Sequence, residues 1–192
     1  MKAKLQNIIN SSMVLFNREG YQAPTIDKIT EASGVSKMTF YRYFPDKESL
    51  IITVLEKKRA QFINELKEIT EAESEIKNKL FAIFRYYNSW FYTPEFNGCM
   101  FNRAVVEFGD GSPVLKEINL KFRADLQALI YEILCRCLNP EPANRVSFTI
   151  MMLIDGAIAA SQSEGIANIE NSPALTAWST TKALIFSEGG TV

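Results

Sequence analysis

The chain contains no histidine among its 192 residues. Histidine supplies the base of Ser-His-Asp triads, the commonest nitrogen ligand of metal sites and most proton shuttles near neutral pH. The sequence also lacks a glycine-rich phosphate-binding loop and a paired-carboxylate motif. We therefore predict that the chain is not an enzyme, and the sequence indicates neither a metal nor a cofactor.

Cysteine is scarce, and uninterrupted apolar runs are short. The three cysteines, Cys99, Cys135 and Cys137, are too few and odd in number for a disulfide framework, which favours a reducing compartment. Charged residues interrupt the longest apolar runs well before 18 residues, so no transmembrane helix is expected. The first 20 residues lack the pattern of a secretory signal peptide. These features predict a cytoplasmic protein with no membrane partner.

The overall composition is that of a globular protein, with 47% hydrophobic and 22% charged residues. A net charge of −1 says nothing about a nucleic-acid partner by itself. The charges are unevenly distributed, however. Residues 1–50 hold 7 Lys/Arg against 5 Asp/Glu, whereas the remainder holds 14 against 17. The modest positive charge of the N-terminal quarter is consistent with DNA binding by that part.

Residues 25–50, TIDKITEASGVSKMTFYRYFPDKESL, have the pattern of a helix-turn-helix. Thr25 and Ser36 are placed to cap two short helices, because a side-chain oxygen there accepts a backbone N–H that the first turn leaves free. Gly34 stands between the helices, where a tight turn needs a residue that tolerates positive φ. The local signals therefore specify both helices and the turn that joins them.

The second of these helices presents a face suited to DNA. Phe40 and Phe44 lie four residues apart and should face the core. The outward residues offer hydrogen-bond donors and almost no acid, which suits phosphates and base edges. The predicted DNA-binding residues are Thr25, Ser36, Lys37, Met38, Thr39, Tyr41, Arg42, Tyr43 and Lys47.

These residues divide by expected role. Thr25, Tyr41 and Lys47 should hold phosphates and set the register on the duplex. Residues 37–39 and Tyr43 should touch base edges. For Thr25 and Lys47 a helix cap and a solvated charge are the structural alternatives, and phosphate contact would add to those roles.

At these positions the sequence resembles the DNA-binding domain of the TetR/AcrR family of bacterial transcriptional regulators. The resemblance covers roughly residues 5–55. It rests on Thr25, Ile29, Ala32, Gly34, Val35, Ser36, Thr39, Phe40, Tyr41, Phe44, Lys47, Glu48 and Leu50. Lys28 departs from the family pattern by replacing an acid that would complete a capping box. Met38 and Tyr43 also depart from it, at positions where a change would alter operator preference.

The rest of the chain is helical by pattern, without the period-2 alternation of strands. We predict an all-α fold of about nine helices. An N-terminal three-helix domain, residues 1–48, should contain the helix-turn-helix, and a C-terminal helical bundle should occupy residues 49–192. A long helix from Lys47 to about residue 70 should connect them. The family resemblance implies that the second domain binds a ligand and dimerises.

Aromatic residues are concentrated at 81–92, directly before a break in the helical pattern at 93–98. Most should belong to the core, whereas those beside the break could line a cavity. The predicted ligand-binding residues are Trp90, Phe91, Cys99, Phe101, Met152 and Asp155. Cys99 is interpreted first as a small buried hydrophobe and second as a sensor thiol.

Asp155 is an unusual residue because it places a charge in the apolar run MMLIDGAIAA. Such a charge needs a partner, which is either an arginine of the chain or a bound ligand. The candidate arginines are Arg103, Arg123 and Arg136.

Small residues at 156–161, GAIAAS, would let two helices approach closely. Together with the apolar stripe of the last helix, they predict a four-helix bundle across the two-fold axis of a homodimer. The predicted interface residues are Gly156, Ala160, Ala174, Trp178 and Ile185. Packing within one chain is the alternative. A single helix-turn-helix contacts too few phosphates to bind an operator tightly, which favours the dimer.

Taken together, the residues and the resemblance predict a ligand-responsive transcriptional regulator, and a repressor in particular. A homodimer would bind a palindromic DNA operator and be released by a small hydrophobic or aromatic effector. The alternative is a ligand-independent DNA-binding regulator or architectural protein controlled by a protein partner. An activator or dual regulator would show the same sequence features.

Overall fold

The computed structural model describes residues 2–164 and 172–192 and contains, within them, nine α-helices and one 3₁₀ turn. The helices are α1 (Lys2–Glu19), α2 (Ile26–Ser33), α3 (Lys37–Tyr43), α4 (Lys47–Glu71), α5 (Ile76–Phe91), α6 (Met100–Phe108), α7 (Pro113–Leu134), α8 (Pro140–Glu164) and α9 (Pro173–Ser187). The described part has no strand, so the all-α prediction is confirmed. Residues 165–171 of the predicted C-terminal domain lie outside the described residues.

The chain forms two compact units. The first unit combines Met1–Gln61 with Cys99–Phe122, and the second combines Phe62–Gly98 with Arg123–Val192. Helices α4 and α7 therefore each contribute residues to both units. The proposed DNA-binding domain, residues 1–48, lies wholly within the first unit.

The first unit is built around an apolar core. Apolar residues at helical spacing on α1, α2 and α3 meet there, and Ile8, Phe16, Ile29 and Phe40 are each 0% exposed. Removing such a side chain from water contributes about 1.5–3 kcal/mol to stability as an upper estimate. This core holds the exposed face of α3 in a fixed orientation.

The caps and the turn of the helix-turn-helix are formed as the sequence predicts. The hydroxyl oxygen of Thr25 accepts the backbone N–H of Lys28 at 3.2 Å, and that of Ser36 accepts the N–H of Thr39 at 3.2 Å. Gly34 has φ +65°, in the left-handed region, and its N–H donates to the carbonyl of Glu31 at 3.1 Å. A residue with a Cβ would be strained at this turn.

In the second unit, α9 packs against α5 and α8. Trp178 lies at the centre, with its ring centroid 5.5 Å from that of Phe81 and 5.6 Å from that of Phe84. A buried amine lies at the end of α4, since Lys79 donates to the carbonyl of Thr70 at 2.7 Å. That bond satisfies a carbonyl at the end of α4 and the charge of Lys79 together.

Helix α8 is unusually apolar. Its segment Pro140–Ser163 has a mean hydropathy of 1.3 over its most apolar window and is long enough to cross a membrane by length and composition. Asp155 divides its apolar run, so the sequence pattern alone predicts no membrane span. Within the protein, 44% of that window is buried and α8 packs against α9. This is the environment of a helix in a folded bundle, and one such helix is weak evidence for a membrane span.

Candidate nucleic-acid interface

Helix α3 is well exposed apart from its anchoring ring. Phe40 is 0% exposed, whereas Met38 is 78% exposed and Tyr41 is 52% exposed. Lys37 and Arg42 are also exposed, and Thr39 and Tyr43 are half-buried. The helix therefore presents two cations, an apolar side chain and phenol hydroxyls to the solvent. These groups can contact phosphates, thymine methyl groups and base edges in a major groove.

Hydrogen bonds hold the hydroxyls at the start of α3. The oxygen atoms of Ser36 and Thr39 lie 3.1 Å apart in a hydrogen bond, in addition to the cap bond between the same residues. A hydroxyl has one donor and two acceptor positions, so each keeps capacity for a further partner. The helix cap thus fixes the position of the Thr39 hydroxyl at the start of α3.

An exposed ion pair occupies Lys37. Its ammonium lies 2.6 Å from the carboxylate of Asp27 on α2, with side-chain exposures of 60% and 68%. The hydrogen bond with Asp27, followed by its charge, raises the pKa of Lys37. This lysine stays protonated at physiological pH, and its ammonium is paired with an acid of α2.

Lys47 has a structural role that the sequence did not indicate. Its ammonium donates to the carbonyl of Gln22 at 3.0 Å and to that of Pro24 at 3.2 Å. Burial lowers the pKa of Lys47, and the charge of Glu107 opposes that shift. Two of the three ammonium donors are therefore used on the loop between α1 and α2. A phosphate contact by Lys47 would have to use the remaining donor.

Helix α6 also holds this loop. The carboxylate of Glu107 accepts the backbone N–H of Tyr21 at 2.8 Å and that of Gln22 at 3.0 Å. Gly20, with φ +80°, allows this approach, because a Cβ at that position would collide with the carboxylate of Glu107. Lys47 and Glu107 together satisfy carbonyls and N–H groups of one loop, which we call the α1–α2 loop (residues 20–25).

Two further contacts join α6 to α1. Arg103 donates to the carbonyl of Asn17 at 2.9 Å, which caps the last turn of α1. The hydroxyl of Tyr21 donates to the carbonyl of Met100 at 2.8 Å, and burial raises the pKa of that phenol well above its usual range. Sequence reasoning missed Arg103, Glu107 and Tyr21 as a set, because their partners lie about eighty residues away in the chain.

Two of the predicted ligand-binding residues lie together in the second unit. The rings of Trp90 and Phe91 both contact Phe96, with centroid distances of 4.9 Å and 5.0 Å. Phe91 is buried and Trp90 is half-buried, so Trp90 is the more accessible ring of this cluster. The cluster lies at the break after α5, where the sequence placed a cavity mouth.

The other four predicted ligand-binding residues have different environments. Phe101 belongs to the first unit and stacks on Phe122, with centroids 4.0 Å apart and planes 10° apart. Cys99 directly precedes α6 and is half-buried. The carboxylate of Asp155 lies 2.7 Å from the guanidinium of Arg123, so an arginine of the chain is a partner for its charge. Met152 is 58% exposed on α8, which is not the environment of an enclosed cavity wall.

Three of the five predicted interface residues are core residues of this chain. Ala174, Trp178 and Ile185 are 1%, 7% and 0% exposed, because they face inward from α9. A surface that is already covered within one chain has little area left for a partner to bury. We therefore reassign these three residues to packing within the chain. Gly156 is exposed and Ala160 is half-buried on α8.

A different apolar stripe is exposed on the same two helices. Phe148 and Met152 are 55% and 58% exposed and continue at spacings of four into Gly156 and Ala160. Residues four apart lie on one face of a helix, so these four form a single stripe. On α9, Phe186 is 78% exposed. We call these five residues the α8–α9 apolar face.

Comparison with known proteins gives consistent matches. The family model described as bacterial regulatory proteins, tetR family, matches residues 8–54. The fatty acid metabolism regulator protein of Bacillus subtilis is 30% identical over 79 residues, which are 41% of this chain and 41% of that protein. The HTH-type transcriptional regulator RutR of Escherichia coli is 36% identical over 55 residues, covering 29% and 26%. The chain thus matches less than half the length of these curated relatives.

Solved structures match over nearly the whole chain. The TetR-family regulator SCO4454 from Streptomyces coelicolor has a TM-score of 0.86 at 22% identity, covering 98% of this chain and 97% of that one. A TetR transcriptional regulator from Chloroflexus aurantiacus has a TM-score of 0.82 at 19% identity, covering 98% of each. At this level of identity the likeness concerns the fold.

Proposed function

We propose, from the premise that this chain belongs to the TetR family of bacterial regulatory proteins, that it is a homodimeric repressor released from its operator by a small effector. The family match over residues 8–54 confirms the resemblance drawn from the sequence. The curated relatives are regulators, in agreement with the prediction that the chain is not an enzyme. The observation that carries the proposal is α3, a capped and anchored helix with an exposed, donor-rich face.

DNA reading in this proposal uses two copies of α3. A two-fold dimer places them in successive major grooves, roughly 34 Å apart on one face of the duplex. Residues 37–39 and Tyr43 read base edges, while Thr25, Tyr41 and Lys47 hold phosphates. The protein acts on bacterial DNA, so we place it in the cytoplasm.

The dimer forms through the α8–α9 apolar face. Phe148, Met152 and Phe186 are large apolar side chains that are more than half exposed in the single chain. Gly156 and Ala160 continue the stripe with small side chains, which allow close approach of a second helix. Two copies of α8 and α9 then make the four-helix bundle that the sequence predicts, with the partner-facing residues now taken from this exposed face.

An effector acts through the aromatic cluster and α6. The half-buried Trp90 and the ring of Phe96 offer apolar, aromatic surface to a small hydrophobic or aromatic compound. The chain then runs from Phe96 into α6, which holds the α1–α2 loop through Glu107. A compound that displaces this segment therefore changes the support of the DNA-binding helices. Its effect is limited to its difference in affinity for the two arrangements.

Replacing Asp27 by Asn is expected to strengthen operator binding by a few-fold. The change removes an acid beside the phosphates and frees Lys37 from its ion pair. Binding to a labelled operator duplex at several salt concentrations measures the effect. Glu31→Gln, which removes another acid from α2, is the matched control and should have a smaller effect. Equal gains in both variants would assign the effect to net charge alone.

Replacing Glu107 by Ala is expected to weaken operator binding by about tenfold while the protein stays helical. The variant loses two hydrogen bonds that the carboxylate accepts from the backbone of the α1–α2 loop. Bonds to charged groups contribute about 1.5–3 kcal/mol each to stability. Operator affinity and thermal midpoint are the measurements. Glu117→Ala on α7, an exposed acid of the same unit, is the control. If Glu107→Ala binds the operator with unchanged affinity, the support of the α1–α2 loop by α6 has no part in operator binding.

A screen of small aromatic compounds for operator release tests the effector proposal. The chain has two tryptophans, Trp90 and Trp178. A releasing compound should change the fluorescence of Trp90, which belongs to the proposed effector cluster. The change should therefore be seen in the wild type and in Trp178→Phe, which lacks only the tryptophan buried in the core. The same compound should change the fluorescence of Trp90→Phe very little. If the fluorescence change is lost in Trp178→Phe and kept in Trp90→Phe, the pocket lies elsewhere. If no compound releases the operator, the ligand-independent regulator is favoured.

A further inference from the structure

Met38 lies on the side of α3 that faces away from the core. Its side chain is 78% exposed, whereas Phe40, which anchors the helix, is 0% exposed. Residues two apart in a helix are about 200° apart around its axis, so Met38 lies almost opposite the anchoring ring. Arg42 follows four residues later and is also exposed. Met38 therefore lies near the middle of the face that α3 offers to a partner.

The polar neighbours of Met38 already have partners within the protein. The ammonium of Lys37 lies 2.6 Å from the carboxylate of Asp27 on α2. The hydroxyl oxygens of Ser36 and Thr39 lie 3.1 Å apart in a hydrogen bond. Met38 differs from these side chains, because it is an unbranched thioether that adapts its shape to an apolar surface. What it can contribute to binding is therefore an apolar contact.

The major groove offers an apolar side chain one distinctive partner. Adenine, guanine and cytosine present hydrogen-bonding atoms there, whereas thymine also presents the methyl group on its C5 atom. A thioether sulfur is a weak acceptor and donates nothing. Beside the amino group of cytosine or adenine it would leave a donor poorly satisfied, which costs binding energy. Beside the thymine methyl it removes apolar surface from water instead.

We propose that Met38 reads the C5-methyl group of one thymine in each operator half-site. The inference rests on the proposed function, since it takes α3 as the helix that enters the major groove, and it adds the base and the atom that are recognised. Burying one methyl-sized group changes affinity by about fourfold, so the two half-sites of a palindrome together give about fifteenfold. Met38 is thus a specificity-determining residue.

Thr39 is the competing reader of a thymine methyl on this helix, because a threonine methyl group can make the same contact. Thr39 lies about 100° around the helix axis from Met38 and is half-buried. It therefore offers less apolar surface to a groove than Met38 does. Thr39→Ser removes only the methyl group and keeps the hydroxyl, so this variant separates the two candidates.

Replacing thymine by deoxyuridine tests the proposal, because the change removes only the C5-methyl group. The probe is the duplex that the wild-type protein enriches from a random-sequence library, with its thymines replaced one symmetry-related pair at a time. Fluorescence anisotropy at fixed salt gives the affinities. At one pair, the wild type should lose about fifteenfold and Met38→Ala less than about twofold. Met38→Leu, which stays apolar, and Thr39→Ser should both keep most of the wild-type loss.

A second readout restores the methyl group on another base. With cytosine in place of the same thymine pair, the duplex should bind weakly. Methylation of those cytosines at C5 should recover about tenfold in the wild type and little in Met38→Ala.

The proposal is overturned if the enriched half-site contains no thymine, or if deoxyuridine costs the wild type nothing at every pair. Equal losses in the wild type and Met38→Ala would also overturn it, and so would a loss that disappears in Thr39→Ser but not in Met38→Ala. All of these outcomes leave operator binding by the wild type in place. Enrichment of no duplex at all would instead overturn the proposed function together with this inference.

Discussion

Gly156→Arg is expected to convert the proposed homodimer into a monomer at micromolar concentration. Gly156 lies in the α8–α9 apolar face, and a Cβ added there meets no atom within 4 Å, so the single chain can accept a side chain. In the proposed dimer the two-fold axis places two guanidinium groups, one from each chain, in the same dry interface. An uncompensated buried charge costs about 3–5 kcal/mol, which is enough to separate the chains.

Sedimentation velocity measures this change directly. The wild type should sediment with about twice the 21.7 kDa chain mass and Gly156→Arg with the mass of one chain. Replacing glycine within a helix gains up to about 1 kcal/mol of helix propensity, so the variant monomer should stay folded. Ala128→Arg, at an exposed position of α7, is the matched control and should remain dimeric. A dimeric Gly156→Arg protein would move the interface away from this face.

Met38→Glu is expected to remove operator binding without disturbing the fold. Met38 is 78% exposed at the start of α3, so the substitution changes no core contact. In the bound state the new carboxylate would face the phosphates and base edges of the major groove. Placing like charges together at an interface costs several kcal/mol, which predicts at least about a 100-fold loss of affinity.

Fluorescence anisotropy with an operator duplex measures the loss, and Val106→Glu is the matched control. Val106 is 83% exposed on α6, outside the helix-turn-helix, so the same change of charge there should have a small effect. Met38→Ala should retain binding but change preference among operators, because it removes an apolar contact and adds no charge. Equal losses in the two glutamate variants would contradict the assignment of α3 as the reading helix.

The helix-turn-helix could be predicted from the sequence because its signals are local. Thr25 and Ser36 cap within three residues of themselves, and Gly34 takes its positive φ from a turn of a few residues. Phe40 and Phe44 are buried at a spacing that any helix of this length imposes. None of these features depends on distant parts of the chain.

The support of the DNA-binding helices could not be predicted in the same way. Glu107 binds the N–H groups of Tyr21 and Gln22 across more than eighty residues of sequence. An acid on a short amphipathic helix has the same local pattern whether it faces solvent or a backbone loop. Lys47 was expected at phosphates for the same reason, since its two carbonyl partners follow from the fold of the α1–α2 loop.

The faces of α8 and α9 were the hardest to assign, because both helices carry apolar residues on more than one side. Trp178 and Ile185 are large or branched apolar residues that fit a chain's own core as well as a partner's surface. The structure places them inside, whereas Phe186, one position beyond Ile185, is 78% exposed. The sequence favours Met152 as a core filler first and a ligand contact second, yet it lies on the exposed stripe. Periodicity identifies a helix here, but it cannot choose among several apolar faces.

Selection of binding sites from a library of random-sequence DNA duplexes tests the central claim most directly. The purified wild-type protein should enrich one palindromic sequence whose half-site centres lie about 10 base pairs, or a multiple of that distance, apart. Binding to that sequence should weaken steeply with salt, as expected for several phosphate contacts. Enrichment of no sequence, or of a single unpaired half-site, would contradict a dimeric regulator that reads its operator through two copies of α3.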